Sequence, residues 1–547
     1  MGPTEWLLPG LIGCGADLSK LLERWQDDEY DTGSRKGLGM ITDKKQIQAD
    51  KGWQTPVAMI IGVGVLFRLL VAIFLPLGVD EAHALAVARE FSWAFFDHPP
   101  IGFWAPVVAA KLTGLETPLV LRIPHLLFGA GSLWMIYLIG RQLGGQRGGC
   151  WSAALFGLTP AFALAGVFIL PDGPLMFFGA IAVYWLVRIV KDGEKAGTAQ
   201  WIFAGLALAL ALMSKYHAAL IPISTLIFAA STRQGRRWFL TPGPYLASAI
   251  GLIGLMPVIW WNMQNDWASF TFQTGRTGQG LNLLHFGRML VAQVIYLLPP
   301  VFVVAIPGIG ASLNKRDPAR LLVALIALGP ILFFNLVNLF SNQSLPHWAL
   351  PGWQYAMPLA GAWLAAKAPT ARRRFAIWFG AFLVLAYALV LLAVLQIRTG
   401  ALTRVVYDTP PSWDRTIDVF DYAGLRTALD KRGDLAGVDM IATPGWIEAG
   451  LVSAAFRGEL PLRVLWTNPH HFGFMEGQRA GGEALLLVPA MLQDAPGQLP
   501  QLLDRARQID PDARALSPVI LKRGPEPYAA VNVIRLRLPP AGRGAGQ

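Results

Sequence analysis

Charge is scarce in this sequence. Of 547 residues only 15% are Asp, Glu, Lys or Arg, against 54% hydrophobic residues and a mean hydropathy of +0.44. So little charge beside so many long apolar runs excludes a water-soluble globule for most of the chain and predicts a polytopic membrane protein. Cysteine is scarcer still: Cys14 and Cys150, one before the first predicted span and one after the second, exclude a disulfide framework and a CxxC metal or redox centre. No GxxxxGK[ST] loop occurs, and no GxGxxG follows a strand in the membrane part, so neither phosphate cradle of a nucleotide site is present. There is no internal repeat, and low complexity is confined to the closing AGRGAGQ.

What is present is a succession of apolar runs separated by short turns. Residues 1–53 are polar with mixed charge, lack the pattern of a cleavable signal peptide, and are expected to stay cytoplasmic, with a small amphipathic helix over 18–25. The first span covers 55–77, with Lys44, Lys45 and Lys51 holding its start inside. Further spans are predicted over 119–139, 150–170, 175–190, 201–213, 217–230, 245–261, 283–309, 321–339, 348–366 and 375–395. That makes about eleven, within a range of about 10 to 13, since short runs can merge and 283–309 can divide.

The net charge of +11 raises nucleic acid as a partner, but the basic residues map to alternate turns: Arg141 and Arg147, Lys191 and Lys195, Arg233 to Arg237, Lys315 to Arg320, and Arg372 to Arg374. Positive charge there is a topogenic signal, which removes nucleic acid. The opposite turns are longer and carry His83, His98, His217 and His347, so chemistry is expected on the outer side. After residue 396 no further span occurs. Strand-like runs at 438–442, 462–466, 484–490 and 528–538 alternate with helical stretches at 422–432 and 499–509, predicting a soluble α/β domain over 397–547 on that same side, also carrying His470 and His471.

The densest titratable stretch is GVDEAHALAVAREFSWAFFDHPP, at the start of the first outer loop, 78–118. Asp80 and Glu81 follow the membrane exit, where a carboxylate can meet a group carried on a lipid; they also suit a helix N-terminus. The stretch after them, 82–96, is apolar enough to lie in the membrane interface. Asp97 and His98 precede a double proline that stops any helix, and can contact a phosphate or sugar hydroxyl or simply complete a turn. Arg122 and Lys215 lie just inside apolar segments on the outer side, placed to hold an anion such as a phosphate or to snorkel. His347 sits between Pro346 and the interfacial Trp348 as a further ligand candidate. Glu81, His83 and His347 are metal-ligand types, but no close spacing such as HExxH supports a metal, and the sequence requires no cofactor.

The series DEA, FFDHPPIGFW, LRIPHLLFGAGSLWMIYLIGRQLGG, LPDGPLMFF, LMSKYHAALI, WNMQNDWASFTFQ and LPHWALPGW, in this order over 55–366, resembles the GT-C superfamily of polyprenyl-phosphate-dependent glycosyltransferases. The branch is that of the bacterial aminoarabinose transferases of lipid A and the protein O-mannosyltransferase-like proteins, glycosyltransferase families 83 and 39. The resemblance implies a donor sugar on undecaprenyl or a similar polyprenyl phosphate, transferred with inversion to a lipid, glycan or protein acceptor at the periplasmic face of a bacterial inner membrane. It puts the family's acidic residue on Asp80, as base or positioner of the acceptor, and donor-phosphate binding on Arg122 and Lys215, with His98 as a further contact. Two positions depart from the aminoarabinose transferases: His98 stands where a lysine is usual, and His83 follows DEA in place of an aromatic.

The expectation is therefore an α-helical GT-C membrane domain over 54–396 with a periplasmic C-terminal α/β domain. The rivals are a transporter or flippase of lipid-linked sugars, which would place charge near mid-membrane in paired halves, and a non-catalytic sensor or scaffold, which gives no reason for the carboxylate and histidine cluster.

Overall fold

Proline and glycine decide where the apolar runs stop and bend. The computed structural model describes residues 54–275, 280–314, 316–341, 343–401 and 415–540; the leader 1–53, with its lysines, its predicted helix and Cys14, lies outside these, as does Lys315. Helix α1 (Gln54–Phe74) ends before Pro76, and the chain turns by 75° into α2 (Val79–Ala88). Helix α3 (Ile101–Thr113) begins directly after the Pro99-Pro100 break and stops at Gly114, whose left-handed φ of 70° lets its N–H cap Ala110. Helix α4 (Pro118–Leu158) is broken at Gly144 and Gly145, whose dihedrals are not helical, and the chain reverses there: Gly140 packs on Ser152, Gly149 on Tyr137 and Gly157 on Leu133, so the two halves run antiparallel as two helices. A short α5 (Pro160–Ala165) follows.

Next come α6 (Asp172–Asp192), α7 (Thr198–Leu212), α8 (Leu220–Ser231), α9 (Arg233–Trp238), α10 (Pro242–Ile253), α11 (Met256–Gln264) and α12 (Ala268–Thr274). The run 283–309 divides into α13 (Leu283–Leu297) and α14 (Pro299–Ser312), which meet at 101°. Between them Leu298 holds a left-handed φ of 71°, and Pro299 then starts the new helix. Helices α15 (Pro318–Leu339), α16 (Leu350–Ala365) and α17 (Pro369–Thr399) complete this part. Among the described residues five helices are long and apolar enough to cross a membrane alone, or up to seven spans if each bent pair is one. The chain is a multi-pass membrane protein. Its self-sufficient spans are fewer than the apolar runs because several runs are helices of 10 to 17 residues, below the ~20 a bilayer core requires.

The basic turns gather at one end of the bundle. Lys191 Nζ donates to the Gln142 carbonyl at 2.8 Å, Arg320 Nη2 to Leu143 at 2.7 Å and Gln234 Nε2 to Val190 at 2.5 Å, while Arg237 pairs with Glu194. Helix α6, about 30 Å long at 1.5 Å per residue, carries the chain from Asp172 to this end.

Residues 415–538 hold a five-stranded sheet of order β2-β1-β3-β5-β4, with α18 (Gly424–Lys431), β1 (Met440–Thr443), α19 (Trp446–Ala455), β2 (Leu462–Val464), β3 (Gly482–Met491), α20 (Ala495–Arg507), β4 (Arg514–Arg523) and β5 (Glu526–Leu538). Strand β1 pairs in parallel with β2 and β3; β5 pairs antiparallel with β3 and β4. Four strands coincide with the predicted runs. Strand β4 does not, because Pro518 and a register shift between Leu516 and Val519 break its alternation.

Helix α2 lies inside protein rather than on a lipid surface. Glu81 to Ala88 are all buried: Ala82 shares a core with Phe420, Tyr422, Leu451 and Val452, and Leu85, Ala86 and Val87 share another with Phe95, Phe103, Ala449, Val464 and Phe472. For 82–88 the expectation of a place in the membrane interface is corrected, since the sheet region covers them; Phe91 and Trp93, further along the stretch, are exposed. The contact is backbone to backbone at Gly450, where a Cβ would stand 2.8 Å from the amide nitrogen and 2.9 Å from the Cα of His83. Gly450→Ala should force the helices apart and cost about 1–3 kcal/mol of stability, read as a lower unfolding midpoint in detergent, while Gly497→Ala, with nothing within 4 Å, should leave it unchanged.

Candidate active site

The bend between α1 and α2 is closed by a buried ion pair. Glu81, on the first turn of α2, accepts from Arg122 of α4 through Nε at 2.8 Å and Nη2 at 2.6 Å, and from the amides of Gly78 at 2.9 Å and Ile169 at 3.1 Å. Arg122 gives its other donors to the carbonyls of Ala72, Leu75 and Pro76 at 3.1, 2.7 and 2.8 Å, the unsatisfied C-terminus of α1. The guanidinium is wholly buried with all its N–H groups spent on protein acceptors. Arg122 and Glu81, expected at the substrate, here fasten three elements together.

That fastening leaves Asp80 free to face outward. Its side chain is exposed yet ringed by protein. Reduced hydration raises its pKa; the charges of Asp97 and Glu81 add to the rise, and His98 and Lys215 oppose it.

Asp97 and His98 lie in the extended loop before α3, with His98 Nδ1 3.0 Å from Asp97 Oδ2. The loop is held at every residue: Phe95 N donates to the His98 carbonyl at 3.0 Å, Ser269 Oγ to the Phe95 carbonyl at 3.3 Å, and Gln273 Nε2 to the Asp97 carbonyl at 2.8 Å. Burial opposes the charge on Asp97, but His98, His83 and His470 outweigh it and hold its pKa well below the usual carboxylate range. His83 points the other way, into a cage of Phe103, Trp446, His470 and Phe472 with neither ring nitrogen hydrogen-bonded. Burial lowers its pKa to about 4, so it is neutral at pH 7.

Ile101 N donates to the Met213 carbonyl at 3.1 Å, which ties α3 to the segment carrying Lys215. Lys215 Nζ meets both oxygens of Asp172 at 2.9 and 2.7 Å, and both side chains are nearly buried. Asp172, His347 and Tyr296 form the polar part of a cavity of about 580 Å³ whose remaining wall is apolar, from α5, α13, the start of α14 and α17, including Leu164, Ile295, Pro299 and Leu389. Asp80, Asp97, His98, Lys215, Asp172, His217 and His347 thus form one chain of mutually influencing charges beside an apolar cavity.

The metal set of Glu81, His83 and His347 is not assembled: Glu81 is bound to Arg122 and His83 is enclosed by aromatics. Among the described residues no group of three or more His, Cys, Asp or Glu side chains could hold a metal ion. Asp172 and the His470-His471 turn are site residues that the sequence reading did not single out. The signal for Asp172 was its position in LPDGP, an acid starting an apolar helix opposite the isolated Lys215.

Comparison with known proteins falls on the same region. The model of the dolichyl-phosphate-mannose-protein mannosyltransferase family matches residues 97–261. The solved structures of ArnT from Cupriavidus metallidurans, apo and bound to undecaprenyl phosphate, superpose with TM-scores of 0.57 and 0.58 at 15% and 14% identity, covering 88% and 87% of this chain and 98% and 97% of theirs. At that identity the likeness shows a shared fold. The lipid A galacturonosyltransferase RgtD of Rhizobium johnstonii is 23% identical over 294 residues, 52% of this chain, which spans 60% of that relative's length. The matched stretch of the family model takes in Asp97, Asp172 and Lys215.

Breaking the clamp should unfold more than it disables. Arg122→Ala leaves Glu81 charged, buried and unpaired, a change that costs about 3–5 kcal/mol, and should sharply lower the yield and thermal midpoint of folded protein. Asp80→Ala, at an exposed carboxylate, should leave both as in the wild type.

Proposed function

We propose that this protein transfers a sugar from a polyprenyl phosphate to an acceptor hydroxyl or phosphate, with inversion, at the outer face of a bacterial inner membrane. The observation that carries the reading is the apolar cavity with Asp172, buried and paired to Lys215, in its wall. A cavity of about 580 Å³ falls within the ~300–1,000 Å³ range of ligand pockets; it takes the phosphate and the first isoprene units, and the rest of the tail extends into lipid. The match to the mannosyltransferase family and to RgtD supports the reaction class, and the fold shared with an ArnT that binds undecaprenyl phosphate supports the donor class. Galacturonosyl transfer to lipid A is the specific reaction that the RgtD likeness favours.

In this mechanism the acceptor oxygen attacks C1 of the sugar from the face opposite the phosphate. The C1–O bond to the acceptor forms, the C1–O bond to the phosphate breaks, and the electron pair leaves with the polyprenyl phosphate. Asp80 takes the proton of a hydroxyl acceptor, its raised pKa making it a stronger base than an ordinary aspartate. Lys215, held in place by Asp172, directs its remaining N–H at the leaving phosphate, where negative charge grows. His98 and His347 supply further polar contacts to phosphate or sugar, and Asp97 orients His98. Arg122 and Glu81 act through the shape of the first loop. The transporter alternative expected charge near mid-membrane, whereas these groups gather at one end, opposite the basic turns.

Purified protein in lipid should move label from a polyprenyl-phosphate sugar to an acceptor in membrane extract, and Asp80→Asn should reduce that rate by at least about 100-fold while the fold persists. Full activity of Asp80→Asn would refute the base. Because the base must be ionised, kcat/KM should fall as pH drops through the Asp80 pKa, giving an acid limb above the ~4 of an unperturbed aspartate. Asp97→Asn removes a charge that raises this pKa and should move the limb to lower pH.

A further inference from the structure

The sheet region sends one turn into the membrane-proximal site. Residues 470–474, between β2 and β3, form a single 3-10 turn in which His470 adopts a left-handed φ of 50°. A non-glycine residue in that region is held by its surroundings against a local cost. Here the strained backbone presents two adjacent imidazoles to two different walls. The His470 ring lies 4.6 Å from Trp446 and 5.4 Å from both Phe96 and Phe272. The His471 ring lies tilted 4.8 Å from Phe95 and stacks 5.8 Å from Trp261.

His471 is buried, and its Nδ1 accepts the backbone N–H of Phe96 at 3.2 Å, across 375 residues of sequence. The Phe96 amide immediately precedes Asp97. The neighbouring carbonyls of Phe95 and Asp97 are held by Ser269 and Gln273, both on α12. The Phe96 N–H is therefore the point at which the α/β region, rather than the membrane part, holds the loop. A neutral imidazole with an unprotonated Nδ1 is needed there, since an imidazolium has no acceptor.

We propose that His471 is a positioning residue of the transfer site: it accepts the Phe96 N–H, fixes the backbone that carries the Asp97–His98 pair, and so makes the α/β region a required part of the site. The proposal rests on the reading of Asp97 and His98 as parts of the transfer machinery. It requires that the acceptor at Nδ1, and not the bulk of the ring alone, sets the loop. Asparagine tests this, because its Oδ1 occupies about the position of Nδ1 and accepts the same bond, whereas leucine fills space and accepts nothing.

The experiment uses the full-length protein in nanodiscs as wild type, His471→Asn and His471→Leu. Transfer from a polyprenyl-phosphate sugar is measured with hydrogen exchange of peptides spanning residues 92–99. His471→Leu should lower kcat by about 10- to 100-fold, the scale set by a misplaced reacting group, with donor KM within about twofold because the apolar cavity is untouched. It should also speed exchange at the Phe96 amide, and His471→Asn should restore both. Equal kcat in His471→Leu and wild type, or equal loss in His471→Asn and His471→Leu, would overturn the positioning role. If wild type transfers no sugar from any donor, the proposed function fails by itself. The exchange arm then still decides whether His471 holds the loop: unchanged protection at Phe96 in His471→Leu sinks the inference.

Discussion

The whole first loop and its surroundings depend on one buried carboxylate–guanidinium contact, between Glu81 and Arg122. An ion pair removed from water earns little net stability unless every remaining donor and acceptor is satisfied, and Arg122 meets that condition by also taking the free carbonyls at the end of α1. The pair thereby does what no helix propensity can do: it turns an apolar helix through 75° at the membrane exit and fixes the direction of the next one. Once α2 is aimed, Glu81 is directed inward and Asp80, its neighbour, outward. Two adjacent carboxylates come to differ in exposure, Glu81 buried in its ion pair and Asp80 open on one side.

The second constraint is the close approach of two helices distant in sequence. Gly450 lets α19 touch the α2 backbone, and the apolar residues that follow Glu81 become a shared core rather than a lipid-facing stripe. Around that core the histidines separate by environment. His83 and His471 are stripped of water and neutral, His98 contacts a carboxylate, and His347 opens onto the apolar cavity. A single residue type serves as filler, acceptor and candidate ligand within one small region.

Much of this was legible in the sequence for physical reasons. Long apolar runs and basic turns report the membrane directly, and the parallel and antiparallel strands of the sheet region announce themselves by β-branched alternation. The positions of Asp80, Asp97, His98 and Lys215 at the ends of apolar segments marked them as polar groups held at one face, and the structure brings them together. What composition could not reveal was partnership. Arg122 read as a phosphate ligand because an isolated arginine near a membrane surface has no visible partner in one dimension; its partners are Glu81, 41 residues away, and three carbonyls. Hydropathy records where a segment is apolar and not how it bends, so the breaks at Gly144 and Gly145 and at Leu298 had no signal of their own in it. Strand β4 and the 470–474 turn carry no periodic signal at all.

The contact between α2 and α19 also fixes an order of events in biogenesis. The loop that begins with α2 is synthesised hundreds of residues before the segment that covers it, so the apolar side of α2 stays uncovered until α19 and the 470–474 turn have been made. A nascent chain interrupted after α17 would already contain Asp80, Asp97, Asp172 and Lys215, yet would have no surface against which to set the first of them. The packing of this region is therefore completed late and all at once.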